Sequence, residues 1–155
     1  MLAGTSERNF QRLQRVQNAA ARAVVRRPLG ASSREILKEL HWLPISHRVD
    51  YKIALMSFKI LTTSQPSYLA STLKSLKPVR ALRSSAGLLL EVPFCKTATA
   101  ARAFSIYAAQ LWNRLPQPLR NCVAGSEDTA SSSVSIFKSL LKTYLFRLAF
   151  SDGVM

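Results

Sequence analysis

The chain has 155 residues, with 22 Lys and Arg against 8 Asp and Glu for a formal charge of +14, and 48% of its residues are apolar. A chain of this length can hide roughly 68 to 70% of its unfolded surface, so a core is within reach without disulfides or metal, and its Leu, Ile, Val and Phe content excludes wholesale disorder. Its 5 glycines leave no GxGxxG or GxxxxGK[ST] phosphate loop, and its scattered acids exclude most carboxylate-based enzyme classes.

Residues 7–27, ERNFQRLQRVQNAAARAVVRR, have the spacing of a helix ended by Pro28 and Gly30. At about 100° per residue, Phe10, Leu13, Val16, Ala20 and Val24 share one arc, which predicts the packing face. Arg8, Arg12, Arg15, Arg22 and Arg26 share an adjoining arc without an acid among them. A solvated surface face is the plain alternative, but such faces mix signs for i, i+4 pairing, so this stripe points to phosphate.

Ser32 and Glu35 have capping-box spacing and predict a helix from Ser33 to about Leu40, which Trp42, Leu43 and Pro44 break. A third helix is expected from about Ser46 to Leu61, with Val49, Ile53, Met56 and Ile60 inward. Being apolar on most sides, it should be the central one. Arg48, Lys52 and Lys59 share its one polar arc.

Pro66 suits the first turn of a fourth helix through Tyr68, Leu69, Leu73 and Leu76. Residues 77–83 form a basic connector holding Lys77, Arg80 and Arg83. LLLEV at 88–92 reads as a strand that residues 94–99 could pair in a hairpin. Residues 100–114 resume helical spacing through Phe104, Ala108, Leu111 and Trp112 until the Pro116-Gln117-Pro118 stretch stops it. Residues 125–135 have linker composition, and a last helix is expected over 136–150 with Phe137, Leu140, Leu141, Tyr144, Leu145 and Leu148 inward. The expected fold is mostly α. It is one domain of about six helices with a short β-hairpin near 88–99, in which a body over 7–124 is joined through the linker to the C-terminal helix.

Catalysis finds little support. His41, His47 and Asp50 are near in sequence, but Pro44 keeps the histidines off a shared helical face. Cys95 and Cys122 form no CxxC and match no zinc spacing. The adjacent acids Glu127 and Asp128 fall in the linker, so a two-metal site has no scaffold. Neither catalytic residues, metal nor cofactor is expected. No membrane-spanning run or secretory signal is present, which predicts an intracellular protein of nucleus or cytoplasm, with a mitochondrial presequence at 7–27 as a minor alternative.

The excess charge is concentrated in residues 1–80, which hold 14 basic and 4 acidic side chains, against 8 and 4 in residues 81–155. The N-terminal half is therefore the expected polyanion face, with Arg8, Arg12, Arg15, Arg22, Arg26 and Arg27 as one set of phosphate contacts. Arg48, Lys52, Lys59, Lys77, Arg80 and Arg83 are a second. Trp42 and Trp112 could stack on bases, but both lie in apolar periodic contexts that favour a place in the core.

Six phrases occur in order: LQRVQNAAARAVVRR (13–27), LHWLPISHRVDYKIALMSFKIL (40–61), PSYLASTL (66–73), LRSSAGLLLEVP (82–93), RAFSIYAAQLWNRLP (102–116) and FKSLLKTYLF (137–146). Together they resemble the segment that follows the reverse-transcriptase domain in polyproteins of non-LTR, LINE-type retrotransposons of the jockey and chicken-repeat groups. The resemblance runs from about residue 10 to 150. It implies a tail separated from its polymerase and endonuclease, because no position matches the catalytic motifs of either. The family's tail is regarded as helping to hold template RNA or target DNA, which implies a non-catalytic, RNA- or DNA-binding accessory role.

At 96–104 the chain has KTATAARAF where the family pattern is closer to KTYGDRAF, losing an aromatic, a glycine and an acid. The zinc knuckle of some relatives is missing. Two other readings stay open: a protein-interaction remnant whose apolar faces packed on a reverse-transcriptase domain or on a second copy, and a translated retroelement relic without selected function.

Overall fold

The computed structural model describes residues 4–28, 30–76, 88–123 and 130–151. Seven α-helices occur among them: α1 (Glu7–Val25), α2 (Ser33–Glu39), α3 (Ile45–Thr63), α4 (Ser67–Ala70), α5 (Phe104–Arg114), α6 (Gln117–Asn121) and α7 (Ala130–Phe150), with a 3-10 turn at Ala100–Arg102 before α5. The fold is mostly α, as the periodicity predicts.

The helix expected to be central is central. α3 packs against α1, α4, α5 and α7, and its Val49, Ile53, Phe58 and Ile60 are buried. Such side chains are worth roughly 1.5–3 kcal/mol each when withdrawn from water. Phe58 stacks on Phe137 of α7 with centroids 4.1 Å apart, and Trp112 of α5 reaches the same ring at 6.0 Å. Ser57, fully buried in this apolar set, satisfies its hydroxyl by donating to the Ile53 carbonyl at 3.0 Å. A second cluster joins Ala21 of α1, Ile36 and Leu37 of α2, and Phe150 of α7.

α1 is the first correction. Leu13, Val16 and Val24, expected inward, are 37%, 67% and 60% exposed, while Gln17 and Ala21 are buried. The reason is backbone satisfaction. Pro44 caps α3 without a side-chain oxygen, so the Ile45 amide needs another acceptor and finds Gln14 Oε1 at 2.9 Å. Gln17 Nε2 donates to the Leu43 carbonyl at 2.9 Å, and Gln14 Nε2 links the two amides by donating to Gln17 Oε1 at 3.0 Å. The helix therefore turns its glutamines toward the 43–45 turn and leaves its aliphatic stripe outside.

The expected hairpin over 88–99 is the second correction, because the described residues contain no strand. Residues 88–91 pair upstream instead, through one antiparallel bridge between Ser75 and Leu90, with the Leu76 amide donating to the Leu89 carbonyl at 2.8 Å and Glu91 to Lys74 at 2.9 Å. The outward groups of Leu90 are taken by Asn113 of α5. Its Oδ1 accepts from the Leu90 amide at 2.9 Å and its Nδ2 donates to the Leu90 carbonyl at 2.8 Å. Trp112 Nε1 donates to the Leu88 carbonyl at 2.9 Å. A side-chain amide and an indole thus stand in for a second strand.

Other boundaries differ. α7 starts at Ala130, so residues 130–135, expected as linker, are helical, and residues 124–129 lie outside the described residues. On α7, Leu140 and Leu148 are exposed while Phe137, Leu141 and Leu145 are buried. The fourth helix is one turn only, with Leu73 buried but Tyr68 and Leu76 exposed. α6, unforeseen, begins after the stop at Pro116 because proline suits a helix start. Ser32 makes no side-chain cap bond, so the expected capping box does not form. α1 ends on the left-handed Arg26 (φ 54°) before Pro28 and Gly30 are reached.

Candidate nucleic-acid interface

The arginine stripe of α1 divides in the folded chain. Arg8, Arg12 and Arg15 are exposed and line, with Gln11, an open groove of about 380 Å³. None of the three forms an ion pair with a described residue. Arg22 is half-buried, and its Nη2 donates to Ser33 Oγ at 2.6 Å, while its buried Nε finds no partner. This arginine ties α1 to α2. Arg27 pairs with Glu39 at 3.3 Å across the same two helices, a surface pair worth little in stability. Arg26 is exposed at the end of α1.

Of the second set, Arg48, Lys52 and Lys59 are exposed on α3. Lys77, Arg80 and Arg83 lie outside the described residues. Arg48 and Lys52 meet a residue that sequence spacing could not bring to them, Lys142 of α7. The three surround a groove of about 370 Å³ that is also lined by His41, Trp42 and Tyr51. No acid lines it.

The α2–α3 turn positions the aromatic side of this groove. Leu40 ends α2, and His41 follows with a left-handed backbone, φ 54°. The His41 amide donates to the Lys38 carbonyl at 3.1 Å and the Trp42 amide to Leu37 at 2.8 Å, the paired bonds of a Schellman helix end. Trp42 packs against the second core cluster, of which Leu37 is a member, and an apolar contact usually accompanies such an end. A histidine here in place of glycine costs about 1–2 kcal/mol. Its ring lies against Phe146 of α7, centroids 5.5 Å apart and planes 15° apart. Trp42 is half-buried, whereas Trp112 is wholly enclosed, so the core reading holds fully for Trp112 alone.

A third groove, about 340 Å³, lies between α1, α3 and α5 and is lined by Glu7 and Asp50, so its charge suits phosphate poorly. Asp50 Oδ1 accepts from the Tyr107 hydroxyl at 2.7 Å. Burial, then this bond and the carboxylate's charge, push the Tyr107 phenol up to about 12. His47 is half-buried and its pKa is lowered by burial against the opposing pull of Asp50, while its Nδ1 lies 3.2 Å from Ser46 Oγ. The carboxylate of the His41, His47, Asp50 group is thus held by a tyrosine.

Cys95 and Cys122 are free thiols. No cluster of three metal-ligating side chains occurs among the described residues, and none of the described helices is long and apolar enough to cross a membrane. No protein-family model matches the chain, and no curated protein or solved structure is significantly similar to it.

Proposed function

We propose that the chain is a non-catalytic, basic accessory tail that binds RNA or DNA through phosphate contacts, of the kind that follows the reverse transcriptase in LINE-type polyproteins. The observation that carries this reading is the unpaired cluster Arg8, Arg12 and Arg15, exposed on one side of α1 with only Gln11 between them. Three like charges on one helix face cost stability through repulsion, and phosphate would remove that cost. The ordered resemblance of the six sequence phrases supports the same reading.

Anisotropy of a labelled single-stranded RNA and of a matched DNA duplex, titrated from low to physiological salt, tests it. The triple change Arg8→Ala, Arg12→Ala, Arg15→Ala should reduce the slope of log affinity against log salt by about 2 on the single strand and about 3 on the duplex. An unchanged slope removes α1 from the interface.

One observation favours a second reading. The stripe Leu13, Val16 and Val24 is exposed on α1 beside the arginines, as it would be on a tail that packs on a protein partner or on itself. Self-association that persists at high salt and is abolished by Val16→Lys with Val24→Lys would carry that reading instead.

A further inference from the structure

The groove bounded by α3, α7 and the α2–α3 turn carries cations and aromatic rings together, and we propose that it is a site for one unpaired nucleotide of a single-stranded nucleic acid. The base would stack against Trp42 and Tyr51, and the flanking phosphates would meet Arg48, Lys52 and Lys142. The proposal rests on the nucleic-acid-binding reading and names the form of nucleic acid.

Four observations converge on this ligand. Arg48 and Lys52 stand one turn apart on α3, a like-charge spacing that destabilises a helix, and Lys142 of α7 adds a third cation to the same groove. None of the three forms an ion pair with a described residue. The one acid of α3, Asp50, lies on the opposite side of the helix and is engaged by Tyr107. The groove therefore has cations on its α3 and α7 walls and no acid on any.

The aromatic wall separates a nucleotide from a bare anion. Trp42 is fixed through its backbone bond to Leu37 and its place in the second cluster, Tyr51 packs against the main core, and the His41 ring is held on Phe146. Rings already ordered in this way lose little freedom when a base stacks on them. A volume of about 370 Å³ falls in the range of small-ligand clefts, roughly 300–1,000 Å³. A duplex keeps its bases stacked and paired, so the aromatic wall can contribute only to an unpaired strand. An acidic peptide would use the three cations but would leave the rings without a planar partner.

The test uses the full chain, a short oligouridylate, a blunt-ended duplex of two separate strands and an oligoglutamate of equal charge, followed by tryptophan emission and by anisotropy. Trp112 is wholly enclosed, so the emission change reports Trp42. The expected result is that oligouridylate alters the emission and the duplex does not. Lys52→Gln with Lys142→Gln, both at exposed positions, should weaken the single strand about tenfold at physiological salt and lower its salt slope by about 1 to 1.5. Duplex binding should change less than twofold.

The groove is overturned if the double variant binds oligouridylate as the native chain does, if strand and duplex weaken equally, or if oligoglutamate competes as well as the strand. The α1 reading is separated by the Arg8, Arg12, Arg15 variant. Loss of duplex binding there, with the Trp42 response retained, supports both sites, whereas no binding of either nucleic acid by the native chain overturns both.

Discussion

α1 and α3 have the same length, 19 residues each, and both carry an apolar stripe beside a basic one, yet they use their stripes in opposite ways. On α3 the apolar arc faces neighbours on most sides, and Val49, Ile53 and Ile60 are buried as the spacing predicts, with Met56 half-buried. On α1 only Phe10 of the apolar arc packs inward, against the main core, while Leu13, Val16, Ala20 and Val24 face out, and the buried side is built on Gln17 and Ala21 with Gln14 half-buried beside them. Turning α1 to bury Leu13, Val16 and Val24 could gain up to about 1.5–3 kcal/mol per side chain. The same turn would orphan the Leu43 carbonyl and the Ile45 amide, at about 1–3 kcal/mol each, and would withdraw Ala21 and Val25 from the second cluster. For a peripheral helix, the polar needs of its neighbour compete with hydrophobicity for the choice of face.

The largest expected effect lies on α3. Phe58→Ala removes a wholly buried ring stacked on Phe137 and should lower stability by about 3–5 kcal/mol, read as a shifted urea midpoint. A loss under about 1 kcal/mol would mean that α3 is not the centre of the core. The next effect reverses the usual ranking of residues. Gln17→Leu places a more apolar side chain at a site only 7% exposed, yet it should cost about 1–3 kcal/mol because the Leu43 carbonyl loses its donor. Val16→Ala on the same helix should stay within about 0.5 kcal/mol. If Val16→Ala proves the costlier change, the apolar arc is the packed face and the comparison between the helices collapses.

What was legible in the sequence follows from the same competition. Helical period located α1, α2, α3 and α5, and α3's central place followed from its apolar girth, because these are properties of one segment. The buried face of α1 was not legible, since it depends on Pro44 lacking a capping oxygen and on which neighbour supplies one. The pairing of residues 88–91 escaped for a related reason. The short apolar run LLLEV signalled an extended segment, but its partners are residues 74–76 and the Asn113 amide, and side-chain amides give no periodic signal. Arg8, Arg12 and Arg15 could be read directly from one helix, whereas Lys142 joins Arg48 and Lys52 only through the packing of α7 on α3. Arg22 belonged to the arginine arc by spacing, and its bond to Ser33 depends on where α2 docks.

The smallest effect concerns the polar bond that fastens α3 to α5. Tyr107 donates to Asp50 at 2.7 Å, and burial, reinforced by that bond and by the carboxylate's charge against the weaker opposing pull of Arg114, pushes the phenol up to about 12. In the unfolded chain the same group titrates near 10. Above that pH the native chain keeps a proton that the unfolded chain has released, so the contribution is complete below about pH 10 and is lost as pH rises toward 12. Tyr107→Phe should therefore cost about 1 kcal/mol at neutral pH, where the bond is intact. Its urea midpoint should also fall less steeply than the native one across the alkaline range. Equal alkaline losses in the two chains would place the pH dependence elsewhere, while a neutral-pH cost approaching that of Gln17→Leu would show that α3 too depends on a polar contact to fix its neighbours.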